Sequence, residues 1–191
     1  MRQAVQRRAL FCGIAAAGGT LAVAGRLGKP SAQAAPGAAL PGIEALRRTD
    51  PPAKLPPAGL VDAGGGVHRL EEFSGQGLVL NLWATWCVPC GTELPALAAL
   101  AARLADAAIL VLPLSSDRGG APIVEQYYRS HGIAGLPVWL DPKGAAARAW
   151  GARGLPTTLI VDRQGRERGR IEGPLDWASD PVVAEIRRLA G

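Results

Sequence analysis

The chain has 191 residues, 48% of them apolar, which suffices for one domain with a sizeable core plus accessory segments. Five of its 21 basic residues, Arg2, Arg7, Arg8, Arg26 and Lys29, stand within the first 34 positions with no acid among them, and the other 16 match the 16 acidic residues, so the net charge of +5 is an end effect. A body of zero net charge lacks the electrostatic footprint of a nucleic-acid binder, and no nucleic-acid partner is expected.

Residues 1–34 read as a signal peptide or an N-terminal membrane anchor. Arg2, Arg7 and Arg8 form a basic start, Ala9 to Gly25 is an apolar run rich in Ala and Gly, and Ala32-Gln33-Ala34 offers a small-x-small cleavage site. Arg7-Arg8 fits a twin-arginine signal in part, since Gln6 stands where Ser or Thr is usual; the general secretory route is the alternative. The apolar run is at the lower edge of the length needed to span a bilayer. Export to the periplasm is expected, either cleaved or anchored to the inner membrane. Residues 35–57, rich in Pro, Ala and Gly, read as a flexible linker with one helical turn near Ile43–Arg48.

A folded domain is expected over 58–191. Leu60–Asp62 and Val67–Leu70, joined by Ala63-Gly64-Gly65-Gly66, read as a β-hairpin, followed by a helical turn at Glu71–Phe73. Leu78–Trp83 is an apolar run bounded by turn residues and reads as a buried strand. A helix from Pro89 to about Ala107 follows, with Pro95 expected to kink it. Ala108–Ser115 reads as a strand covered on both faces, Pro122–His131 as a helix, Leu136–Leu140 as a strand and Ala145–Gly151 as a short helix. Thr157–Val161 is a further strand, turned by Asp162-Arg163-Gln164-Gly165 into Glu167–Glu172, and Pro181–Leu189 is a closing amphipathic helix. Alternating strands and helices, then a hairpin and a last helix, describe an α/β domain with a mixed central sheet flanked by helices.

The chemistry concentrates at Cys87 and Cys90, a Cys-x-x-Cys at the junction of strand and helix. Two thiols there can open and close a disulfide with little backbone movement, and the helix N-terminus favours a thiolate on the first. A structural zinc site would need further ligands, but the only other Cys is Cys12 in the leader, and His68 and His131 are not in ligand spacing. A redox-active dithiol is the leading reading, with a copper(I) site and an inert structural disulfide as alternatives. Outside the cytoplasm spare thiols are oxidised, so a mature chain with two cysteines spaced as a pair suits a protein that handles disulfides in others.

The segments Asn81-Leu82-Trp83-Ala84-Thr85-Trp86-Cys87-Val88-Pro89-Cys90, Glu93-Leu94-Pro95 and Gly154-Leu155-Pro156-Thr157-Thr158-Leu159-Ile160-Val161-Asp162, with Gly165 at the turn, resemble the thioredoxin superfamily, in particular its exported TlpA/ResA-like thiol:disulfide oxidoreductases. The resemblance runs from about Pro56 to the C-terminus. It implies a thioredoxin-like fold with a four-stranded core sheet and an added N-terminal β-hairpin, and a cis peptide before Pro156. Thioredoxin itself has a buried Asp where this chain has Asn81, whereas Glu93 matches a Glu of the exported relatives, three residues after the second cysteine. The resemblance implies Cys87, Cys90 and Glu93 as catalytic residues, with Glu93 accepting a proton from Cys90; an exposed Glu favoured by the helix dipole is the other reading. Trp86, Leu155 and Pro156 are the expected substrate-binding residues.

Cys87, nearer the helix start, is expected to attack and Cys90 to resolve. Val88 supplies no charge to the thiolate, so a reductant is expected and not an oxidase. The resemblance further implies protein substrates with disulfides, of the cytochrome c maturation or copper-centre assembly type. It also implies a membrane thiol-transfer protein as electron donor and no cofactor. The chain is expected to be a monomer. Three alternatives are weighed: a copper(I)-binding chaperone, a thiol oxidase of the same fold, and a peroxiredoxin-type peroxidase. The last wants Pro and Thr or Ser at places held here by Leu80 and Ala84. Trp83, Trp139, Trp150 and Trp177 read as packing residues, Thr157 and Thr158 as strand residues, His68 and His131 as surface residues, and Arg166, Arg168 and Arg170 as one exposed strand face.

Overall fold

The computed structural model describes residues 40–191, so the leader read at 1–34 lies outside the described residues. In chain order the elements are β1 (Arg47–Lys54), β2 (Leu60–Asp62), β3 (Val67–His68), β4 (Gly77–Trp83), α1 (Val88–Leu104), β5 (Ile109–Ser115), α2 (Ala121–His131), β6 (Trp139–Leu140), α3 (Ala145–Ala149), β7 (Thr157–Val161), β8 (Arg166–Glu172) and α4 (Asp180–Ala190). The strands form one eight-stranded mixed sheet in the order β1-β8-β7-β4-β5-β6-β2-β3. β4 lies at its centre, parallel to β5 and antiparallel to β7.

Every residue of β4 is buried, because both faces of the sheet are covered. Strand alternation divides its side chains between two apolar clusters. Leu78, Leu80 and Leu82 pack with Leu112, Leu114, Leu159 and Trp150 on the face that carries α3. Val79 and Trp83 pack on the other face with Leu94, Leu97 and Leu100 of α1 and Val183 and Ile186 of α4. Each such buried side chain stabilises the fold by roughly 1.5–3 kcal/mol. Asn81 stands between Val79 and Trp83 in β4, so a polar side chain is directed into the second cluster.

The largest departure from the sequence reading lies in the expected linker. Residues 47–54 form β1, antiparallel to β8, with Arg47 opposite Arg170 and Lys54 opposite Arg166. The register shifts between Arg48 and Ala53, where Pro51 and Pro52 sit. Proline cannot donate to a ladder, but a bulged strand at the edge of a sheet tolerates it. Long-range polar contacts hold the segment: Thr49 Oγ1 donates to Glu167 at 2.9 Å, and Arg48 pairs with Glu185 at 2.8 Å. The sheet is thereby wider than the expected four-stranded core, with β1 added at one edge and the β2–β3 hairpin, joined through β6, at the other.

Smaller differences are local. α1 ends at Leu104 and a 3-10 turn takes over at Ala105–Ala107, while β6 is confined to Trp139–Leu140. The alternate arginines of β8 do share a face, but they are half-buried and paired: Arg166 and Arg168 with Asp162 at 2.8 and 3.6 Å, and Arg170 with Glu167 at 2.6 Å. His68 bridges Asp62 and Glu72 at 2.9 Å each and meets the Trp139 ring edge-on.

Candidate active site

Four residues, Ala84 to Cys87, separate β4 from α1, and the last of them is the helix N-cap. The Cys87 N–H donates to the Ala84 carbonyl at 3.1 Å, and the Cys87 carbonyl accepts from the Gly91 N–H at 3.1 Å, which starts the helix. Pro89 falls in the first turn, where no partner for an N–H is needed. Cys87 and Cys90 are joined as a disulfide, with Cα atoms 5.3 Å apart. The pair is asymmetric: Cys87 keeps 7% of its surface exposed and Cys90 none. The unpaired first-turn amides and the helix dipole favour negative charge on Cys87 once the bond is open.

Asp117, two residues beyond β5, holds the loop before the cysteines. Its carboxylate accepts from the Thr85 N–H at 2.8 Å, the Thr85 hydroxyl at 2.7 Å and the Ser115 hydroxyl at 2.7 Å. Sequence reading passed over Asp117; a Ser-x-Asp at the end of a core strand is its only local signal. On the other side of Cys87, Gly91 makes room for Tyr127. A Cβ at position 91 would lie 2.0 Å from the Tyr127 hydroxyl oxygen. Tyr127 in turn meets Trp83 edge-on and stacks on His131 at 3.9 Å.

Beneath the pair is a buried polar cluster. Cys90 and Glu93 are three residues apart on α1 and share one face. Glu93 has no exposed surface, which removes the reading of it as a solvated first-turn acid. Asn81 Nδ2 donates to Glu93 Oε1 and to Thr158 Oγ1, both at 2.9 Å. Trp177 Nε1 and the Leu175 N–H donate to Glu93 Oε2 at 2.9 and 3.3 Å. Burial pushes the Glu93 pKa up to about 7, against the downward pull of the bonds from Trp177, Asn81 and Leu175. Asn81 thus occupies the place of thioredoxin's buried Asp in sequence and supports the carboxylate of Glu93 in space. Asn81 Oδ1 is buried with no hydrogen-bond partner among the described residues. Trp177 is buried, as expected of a packing residue, and its indole N–H is also one of the donors to Glu93. It lies 84 positions from Glu93, beyond any local pattern.

The Leu155–Pro156 peptide is cis, as the resemblance implies. Pro156 is buried, and its carbonyl accepts from the Gly173 N–H at 2.9 Å. Leu155 is half-buried and lines one groove together with Trp86. Trp86 and Val88, on either side of Cys87, are 69% and 77% exposed, so apolar surface flanks the outer cysteine. Trp83, by contrast, is buried against Tyr128, ring stacked on ring at 5.8 Å. Among the described residues no group of three or more His, Cys, Asp or Glu side chains is placed to hold a metal ion, and no helix is long and apolar enough to cross a membrane.

This arrangement has relatives. ResA, a thiol-disulfide oxidoreductase of Geobacillus thermodenitrificans, is 31% identical over 118 residues, which are 61% of this chain and 66% of the relative. The chain therefore spans just under two thirds of the length of that protein. A thiol:disulfide interchange protein, a DsbE homolog of Paracoccus denitrificans, is 35% identical over 141 residues, 69% of this chain and 75% of the relative. Among solved structures, a putative thiol:disulfide interchange protein DsbE from Chlorobium tepidum superposes with a TM-score of 0.63 at 23% identity, over 74% of this chain and 99% of that one. An exposed lipoprotein thioredoxin of Streptococcus pneumoniae gives 0.59 at 25% identity, over 70% and 100%. These likenesses establish a thioredoxin-like fold. The family described as AhpC/TSA matches residues 51–168, a stretch that contains the cysteine pair, Glu93, Asp117 and the cis proline. On that match, and on the DsbE homolog, this chain belongs to the AhpC/TSA family of thioredoxin-like proteins.

Proposed function

We propose that the chain is an exported thiol:disulfide oxidoreductase that reduces disulfides in other proteins through Cys87 and Cys90. One observation carries the reading. Two cysteines that differ in exposure form a disulfide at a helix start, with a buried carboxyl of pKa about 7 one turn further along the helix. The relatives named as thiol-disulfide oxidoreductases support it.

In the reduced protein the Cys87 thiolate attacks a sulfur of the substrate disulfide. A mixed disulfide forms, and the departing substrate sulfur takes a proton. Cys90 then passes its proton to the Glu93 carboxylate and attacks the Cys87 sulfur. The second substrate sulfur leaves as a thiolate, and Cys87–Cys90 is left oxidised. Two electrons have gone to the substrate, and a dithiol donor must restore them; a membrane thiol-transfer protein is the proposed source. Glu93, with a pKa near neutrality, suits the proton step. Trp86 supplies apolar contact beside Cys87, and the Leu155 backbone offers pairing to an extended substrate segment. Export through the leader at 1–34, action in the periplasm as a monomer, and targets of the cytochrome c maturation or copper-centre assembly type complete the proposal.

A peroxidase of the kind the family name denotes is the weaker reading. The positions seven and three before Cys87 are Leu80 and Ala84, both without exposed surface and without a hydroxyl. The direction of electron flow is tested by the reduction potential of the pair, measured by equilibration with glutathione or dithiothreitol. Val88 adds no charge to the thiolate, so a value nearer thioredoxin's (about −270 mV) than a strong oxidant's (about −120 mV) is expected. A potential above about −170 mV overturns the reductant in favour of an oxidase.

A further inference from the structure

We infer that the groove beside Trp86 and Leu155 receives an acidic segment of the protein substrate, next to the disulfide that Cys87 attacks. The inference rests on the disulfide-reductase reading given above and adds the chemistry of the substrate.

The groove encloses about 1270 Å³. Its walls are the loop after β5, the turn that leads into α3, and the loop before Pro156. Trp86 and Leu155 are the chain neighbours of Cys87 and Pro156, so the groove abuts the reactive pair. Four cations line it: Arg118, Lys143, Arg148 and Arg153. Arg153 is paired with Glu172, its Nε 2.9 Å from Oε1. Among the described residues Arg118, Lys143 and Arg148 have no carboxylate partner, Arg148 donating only to the Lys143 carbonyl, and all three are exposed. Elsewhere Arg48, Arg103, Arg166, Arg170, Arg187 and Arg188 each have a carboxylate partner within 2.8 Å, while Arg47, Lys54, Arg69 and Arg163 have none among the described residues. One carboxylate lines the groove, that of Asp117, which is 8% exposed and occupied by the Thr85 and Ser115 donors.

Three exposed cations without a carboxylate partner thus line a groove that also contains Trp86 and Leu155, the chain neighbours of Cys87 and Pro156, and its single carboxylate is already occupied. Trp86 and Val88 offer apolar surface on either side of Cys87, and the cations line the same groove as Trp86. The complementary ligand is an extended segment with an apolar residue beside its cysteine and carboxylates a few residues away. Charges at such a rim act chiefly on the rate of encounter, and salt screens them.

The test uses two disulfide-bonded peptides of equal length, with Glu or with Lys flanking an otherwise identical apolar-cysteine core. The reduced protein is mixed with each, and tryptophan fluorescence follows the reaction. The Glu peptide is expected to react at least tenfold faster at low salt, with the ratio falling toward one in 1 M NaCl. Arg118→Glu combined with Lys143→Glu should bring the ratio at low salt to one or below. Equal rates for the two peptides at low salt, or a preference that survives the double substitution, overturns the inference. Hydroxyethyl disulfide, which is neutral, reports separately whether the dithiol reduces at all. If it does not, the reductase reading fails alone, and the groove is read by anisotropy with Cys-to-Ser versions of both peptides on the oxidised protein. There, tighter binding of the Glu form sustains the charge preference and equal binding ends it.

Discussion

Glu93→Gln isolates the ionisation of the buried carboxyl one turn beyond Cys90. The carboxyl is wholly buried, and its pKa is raised from 4.5 to about 7. Below pH 4.5 the group is protonated in the folded and the unfolded chain alike. Between 4.5 and 7 the folded protein keeps a proton that the unfolded chain has lost, so stability falls as pH rises through this window. Above about pH 7 the loss is complete. At 1.36 kcal/mol per pKa unit, the shift amounts to about 3 kcal/mol. The amide keeps the shape and cannot ionise. Its oxygen still accepts from Trp177 and Leu175, and its NH₂ faces Asn81, whose unpartnered Oδ1 is available once that side chain turns over. The stability of Glu93→Gln relative to the parent should therefore climb by about 3 kcal/mol between pH 4 and pH 8.5. Guanidinium unfolding of the oxidised protein, followed by tryptophan fluorescence across that range, measures it. Parallel stability–pH curves for parent and variant would mean that Glu93 titrates as an ordinary carboxyl, and its role as proton acceptor for Cys90 would fall with them.

Gly91→Ala places a methyl against the Tyr127 hydroxyl, where 2.0 Å is available, and should cost about 1–3 kcal/mol of stability. Adding Tyr127→Phe should recover most of that loss; recovery in a thermal melt checks the contact, and a neutral Gly91→Ala refutes it. Asp117→Ala strands the Thr85 N–H and the Thr85 and Ser115 hydroxyls, and should cost about 2–3 kcal/mol. Hydrogen exchange should show the Thr85 amide opening faster, and unchanged protection there would show that Asp117 does not hold the cysteine loop.

Much of the fold was legible because each core element carries its own pattern. The apolar run of β4 and the apolar stripe of α4 depend on burial periodicity, which the chain writes locally. β1 escaped, since Pro51 and Pro52 break every strand signal, and only the free edge of β8 makes them acceptable. The arginines of β8 alternate as an exposed face would, yet Asp162 comes within reach of Arg166 only once the turn has formed, and Glu167, the partner of Arg170, lies on β8 itself where its register with β7 shifts.

Sequence by itself determined the reactive spacing. Cys87 at the helix start, Cys90 and Glu93 each one turn on, and Pro89 in the first turn follow from helical geometry alone. Tertiary structure decided what that spacing can do. Glu93 could have been a solvated acid favoured by the helix dipole. It became a buried one because α1 packs against β4 and because the segment before α4 brings in Leu175 and Trp177, more than 80 positions away. Desolvation, and the donors that compensate for it, belong to the packed molecule. They are properties of what surrounds a side chain, and no local stretch of sequence contains them.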